Sequence, residues 1–146
     1  MNLGYACINT ELAKPIKEGR KVLRERITTN RSMIHRTFKS RGVAYASQLS
    51  LQNCLDLEKI LKWNEEKDIK FFRMSSEIFP WASKYKFEDL PDWKKIKQSL
   101  IRTGAYAQSK GHRLTFHPGP FNKLTSPNEN VVQNTITDLE IHGKVL

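Results

Sequence analysis

Short apolar runs alternate with amphipathic stretches three times along this chain, and few folds accept that order. Met1–Cys7 reads as a buried strand. A helix is expected from about Ser47 to Lys67, with Leu51, Cys54, Leu55, Leu57 and Leu61 on one face and Gln52, Asp56 and Lys59 opposite. Ile69–Met74 reads as a second strand, ended by Ser75, Ser76 and then Pro80. After an aromatic loop (Trp81, Tyr85, Phe87), a helix opens near Pro91, turns Trp93, Ile96, Leu100 and Ala107 inward, and stops at Lys110-Gly111. Arg113–His117 is the third strand, broken by Pro118-Gly119. Ser126-Pro127-Asn128-Glu129 has the form of a capping box with proline at the first helical position, opening a helix with a Val132, Ile136 and Leu139 stripe.

Strand and helix in strict alternation predict an α/β fold with a parallel sheet and right-handed crossovers. The strand starts near residues 69 and 112 suit (β/α) repeats with long loops. A full (β/α)8 barrel takes about 250 residues, whereas about three units are visible in residues 1–146, read as a single domain. The chain stops where a further strand is due, so it is expected to be incomplete. From Thr10 to Arg41 the pattern is basic and only weakly periodic, with Thr28–Arg31 as a turn or cap and no element bounded.

Charge narrows the partners. The net charge is +10, and residues 11–41 hold ten Lys and Arg against Glu11, Glu18 and Glu25. Such an excess suits a phosphate backbone, and it also suits a solvated basic surface. No apolar run is long enough for a membrane helix and no signal sequence opens the chain, so a soluble intracellular protein without a membrane partner is expected. Neither GxGxxG nor GxxxxGK[ST] is present, which argues against a nucleotide cofactor. Cys7 and Cys54 form no CxxC pair and are expected to be small buried residues.

In parallel α/β folds reactive groups collect at the C-terminal ends of strands. Tyr5–Asn9, Arg73–Glu77 and His117–Asn122 occupy those places. His117 is either a metal-ligating imidazole or a hydrogen-bonded cap. Phe121, on a loop stiffened by Pro118 and Pro120, is either a wedge for a base stack or a loop-packing aromatic. Tyr5 and Asn9 are either a pocket-lining pair or a core tyrosine and a turn asparagine. Glu77 is a ligand, a base or a plain surface carboxylate. His35, His112 and His142 read as structural, His142 as a cation meeting a helix end.

The segments NLGYACIN (2–9), ITTNR (27–31), LSLQNCLDLEKILKWNEEKDIKFFRMSSEIFPWAS (49–83), GHRLTFHPGPFN (111–122) and SPNENVVQNTITDLEIH (126–142) together resemble the N-terminal half of the ultraviolet damage endonuclease family. That resemblance implies the N-terminal part of a (β/α)8 barrel related to endonuclease IV, with divalent metal ions, Mn²⁺ or Zn²⁺, at its mouth. It implies a DNA-repair activity: incision of damaged double-stranded DNA on the 5′ side of lesions such as pyrimidine dimers. The complete protein is expected to be monomeric and cytoplasmic, or nuclear in a eukaryote. Residue by residue, the resemblance makes His117 a metal ligand and Tyr5 and Asn9 lesion contacts. Pro120 and Phe121 fall where the family commonly has Gln-Tyr or Gln-Phe probing the duplex; Phe121 keeps the aromatic, whereas Pro120 cannot supply an amide's hydrogen bonds. Glu77, Arg31 and Arg73 lie in the ITTNR and RxSSxxFP elements and are further candidates. The remaining ligands are expected beyond Leu146, leaving this chain unable to cut alone. Two other readings stay open: another metal-dependent barrel, such as an abasic-site endonuclease or a sugar isomerase, and a non-catalytic DNA-binding fragment.

Overall fold

The computed structural model describes residues 3–146, so the first two residues of the expected opening strand lie outside it. Three strands build one parallel sheet: β1 (Gly4–Ala6), then, beyond a two-stranded hairpin of β2 (Ile16–Glu18) and β3 (Lys21–Arg24), β4 (Phe71–Ser75) and β5 (Arg113–His117). The order is β1-β4-β5, with Tyr5 opposite Phe72 and Ser75 opposite His117. Helix α1 (His35–Glu66) joins β1 to β4, α2 (Trp93–Ser109) joins β4 to β5, and α3 (Glu129–Val145) comes after β5. Parallel neighbours require such crossovers.

Alternation along the strands assigns two faces. Phe72, Met74 and Phe116 enter a core with Leu57, Ile60 and Leu61 of α1 and Ile96 of α2. Arg73, Thr115 and His117 alternate with them and face away from it. Gly4 is where the sheet needs a bare backbone, because a Cβ there would stand 2.5 Å from the Phe71 ring and 2.6 Å from its carbonyl oxygen.

The expected helices form, with altered boundaries. α1 begins a dozen residues before Ser47 and bends at Gly42, whose φ of 63° and ψ of −162° separate a short basic turn from the long amphipathic segment. Both α1 and α2 end with a left-handed residue and a Schellman pair of hydrogen bonds. At α2 this is Gly111, with His112 N–H bonding to Ala107 O at 2.8 Å; at α1 it is Asp68, with Ile69 N–H bonding to Asn64 O at 2.8 Å.

Three sequence expectations are corrected, and one element was missed. The hairpin within 10–41 was not foreseen, because its strands are exposed on both faces and carry no buried alternation. Asp56 is not on a solvated face but only 1% exposed. The α3 cap is Asn128, which accepts from Asn130 N–H at 3.0 Å, so Pro127 precedes the helix and Ser126 caps only the turn before it. The α3 stripe also shifts: Thr135 and His142 are buried, while Ile136 and Leu139 stay 37% exposed.

Candidate functional site

The C-terminal ends of the three strands open onto loops that differ in how their polar groups are used. After β1 the chain reverses at Cys7, a left-handed residue whose N–H bonds to Arg73 O at 2.8 Å. Burial raises the Cys7 thiol's pKa, and the nearby Arg73 charge opposes the shift. Asn9 then caps the turn: its Oδ1 accepts from Leu12 N–H at 2.9 Å and Glu11 N–H at 3.1 Å. Its Nδ2 donates to the Tyr5 hydroxyl at 2.9 Å, and that hydroxyl donates to Asn64 Oδ1 at 2.6 Å. The Tyr5 ring lies against Phe72 on the helix side of the sheet, and burial raises its pKa despite the hydrogen bonds to Asn9 and Asn64. The pair therefore has the arrangement of a core tyrosine and a turn asparagine.

After β4, Ser75 Oγ accepts from Glu77 N–H at 3.1 Å, and the exposed Glu77 carboxylate accepts from Ser32 Oγ at 2.6 Å. After β5, the His117 ring is exposed and makes no hydrogen bond among the described residues. Beyond it Pro120 is exposed and Phe121 is 86% exposed. A cleft of about 490 Å³ gathers Ser32, Glu77, Trp81, Phe121, Asn122 and Asp138 between these loops and α3. A larger apolar hollow of about 850 Å³ lies between α2 and the end of α3, where His112 opens the N-terminal side of β5. That is the wrong end of the strands for chemistry.

Arg31 and Arg73 part company. The Arg31 guanidinium pairs with Asp56 at 2.6 Å and donates to Thr28 O at 2.6 Å and Arg26 O at 2.7 Å, so it is no free phosphate ligand. Arg73 sits mid-strand on the face away from the helices. The His142 expectation is also corrected. Buried and stacked on Phe116, with ring centroids 4.2 Å apart, its pKa is lowered by desolvation, only partly opposed by Asp138. Desolvation therefore disfavours the cation expected at this helix end. His112, by contrast, is buried on Glu65 at 2.8 Å, in keeping with a structural role.

Sequence reasoning missed Asn53, Asp56 and Asn64. Each interrupts the apolar surface of α1, and Asn64 continues the Leu57, Ile60, Leu61 row at helical spacing. A polar residue on a buried row was the available signal. Asn122 and Asp138 gave none, because their pairing spans a loop.

Among the described residues no three His, Cys, Asp or Glu side chains converge as a metal set. The exposed His117 imidazole is a donor type that suits Zn²⁺, whereas Mn²⁺ is served better by carboxylate and water oxygens. The parallel strands and the intervening helices are those of part of a (β/α)8 barrel. The solved structure of SacUVDE superimposes on all of this chain with a TM-score of 0.79 and 27% identity, over 45% of its own length. The sequence pattern of UV-endonuclease UvdE matches residues 1–146, and this chain belongs to that family. It is 37% identical to the UV-damage endonuclease of Schizosaccharomyces pombe over 99% of this chain and 22% of that protein. It is equally similar to the putative UV-damage endonuclease of Acanthamoeba polyphaga mimivirus, over 100% of this chain and 42% of the relative. The chain thus spans less than half the length of these relatives.

Proposed function

We propose that this chain forms the lesion-reading part of an endonuclease that incises damaged double-stranded DNA on the 5′ side of ultraviolet lesions by metal-assisted hydrolysis. One observation carries the reading: an imidazole and a phenyl ring, four residues apart at the C-terminal end of one parallel strand, are both exposed. His117 would hold a divalent ion, Mn²⁺ or Zn²⁺. Such an ion, when bound, neutralises charge on the phosphate and acidifies water for phosphodiester hydrolysis. Phe121 wedges at a damaged step, where stacking is weakest. Proline at 120 leaves that probe without an amide, so discrimination falls to the aromatic. Tyr5 and Asn9 serve the mouth by fixing the first loop, and Glu77 lines the cleft beside Phe121. Arg73 sits on the sheet face available to a phosphate. Arg31 contributes by holding residues 28–31 in place.

The hairpin grips the duplex backbone. Lys14, Lys17, Arg20 and Lys21 have no ion-pair partner among the described residues. No described helix is long and apolar enough to cross a membrane. With a single suitable imidazole, the 146-residue chain binds damaged DNA without cutting it.

Fluorescence anisotropy with a duplex carrying one pyrimidine dimer, beside the intact duplex, tests binding; a nicking assay with Mn²⁺ tests incision. We expect tighter binding to the damaged duplex and no nick. Equal affinity for both duplexes removes the lesion-reading role, and dimer-specific nicking removes the claim that the donor set is partial.

A further inference from the structure

Pro118 and Pro120 stiffen the loop bearing Phe121 on its N-terminal side. On its C-terminal side the loop is held by α3. Asn122 Nδ2 donates to Asp138 Oδ2, and Asn122 N–H closes the turn on Gly119 O at 3.1 Å. The next amide, Lys123 N–H, bonds to Thr135 Oγ1 at 2.8 Å, and Thr135 is buried and donates to Val131 O at 2.8 Å. Thr135 and Asp138 are three residues apart and share a helix face. One turn on, His142 Nε2 lies 3.8 Å from Asp138 Oδ2, and its ring stacks on Phe116, the residue before His117. Both ends of the loop are therefore referenced to one side of α3.

We infer that Asp138 is a positioning residue for the lesion probe, gripping Asn122 so that Phe121 stands out from the rim instead of folding back. The inference rests on the proposed reading of Phe121. An aromatic on a slack loop would spend part of its binding energy on ordering itself, whereas an anchored one meets the duplex preorganised. The Asp138 side chain is 34% exposed, so truncating it cuts the tether without emptying the core.

The experiment compares the unchanged chain with Asp138→Ala, Asp138→Asn and, from the other partner, Asn122→Ala. Circular dichroism establishes that each folds. Hydrogen exchange is read at the amides of Gly119 and residues 121–124, and affinity is read for dimer-bearing and intact duplexes. Asp138→Ala and Asn122→Ala are expected to raise exchange in the loop roughly tenfold. They should lower the preference for the dimer roughly tenfold as well, the scale of one charge-assisted hydrogen bond, with affinity for intact duplex retained. Asp138→Asn keeps an acceptor for Asn122 and should restore most of both. Unchanged loop exchange in the folded Asp138→Ala chain overturns the inference, as does equal loss of affinity for both duplexes. If the unchanged chain binds both duplexes alike, the reading of Phe121 fails and the discrimination role with it, while exchange still decides the anchor.

Discussion

Two basic stretches lie side by side in this chain and have opposite fates. From Lys14 through the first strand and turn of the hairpin to Lys21, the cations are exposed and find no carboxylate among the described residues. From Arg26 to Arg31 the backbone is drawn against α1. Asp56 accepts from Thr28 N–H at 3.1 Å and from Arg31 at 2.6 Å, while Asn53 bonds both the N–H and the carbonyl of Arg31. The first stretch is charge offered outward and the second is charge used as mortar. The difference comes from two polar residues on a helix more than twenty positions away. A count of Lys and Arg therefore overstates the surface open to a phosphate, because burial with a partner takes Arg31 out of it.

Breaking the second stretch should have the largest effect. Asp56→Ala leaves a largely buried guanidinium without its carboxylate and residues 28–31 without their anchor. A loss of about 3–5 kcal/mol is expected in urea unfolding. A loss under about 1 kcal/mol would mean that Arg31 reaches solvent.

Breaking the first stretch should leave stability alone. Replacing Lys17, Arg20 and Lys21 together by glutamine should change unfolding by no more than about 0.5 kcal/mol. It should flatten the dependence of log K for duplex on log salt by about 2.7, at about 0.9 per phosphate contact. An unchanged slope would remove the hairpin from the DNA surface.

Neither stretch contains a histidine, so a pH response in the mildly acidic range must arise elsewhere, and His142 is the expected source. Burial lowers its pKa from 6.5, so the unfolded chain takes up the proton more readily. Its contribution to stability is complete above pH 6.5 and is lost as pH falls through that value toward the lowered folded one. Thermal melts from mildly alkaline to mildly acidic pH should show this decline, and His142→Phe, which keeps a ring on Phe116, should flatten it.

The smallest effect concerns α1, the frame to which the second stretch is tied. Asp68→Gly relieves a left-handed residue at the helix end and should add about 0.5–1 kcal/mol. A destabilised variant would show that the Asp68 side chain supports the cap.

The β/α alternation was legible because apolar periodicity is a local property. Cys54, Leu57, Leu61, Ile96 and Ala107 enter the core where their spacing put them. His117 and Phe121 were legible as strand-end residues because Pro118-Gly119 must break the strand there. The ring of His117 faces out at the end of a strand parallel to its neighbour. The hairpin was not legible, since strands exposed on both faces leave no period to read. Tyr5 and Asn9 were visible as a pair, but the bond from Tyr5 to Asn64 spans 59 positions.

The sequence alone determined the strand-helix alternation outside the hairpin, the apolar stripes of α1 and α2 and the residues brought to the strand ends, since these follow from backbone periodicity and the breaking power of proline and glycine. Tertiary structure alone decided which polar groups remain free. Hydrogen-bond partners such as Asp56 for Arg31 and Asp138 for Asn122 meet only after the chain has folded, and desolvation then separates the charge that holds the fold from the charge that can meet DNA.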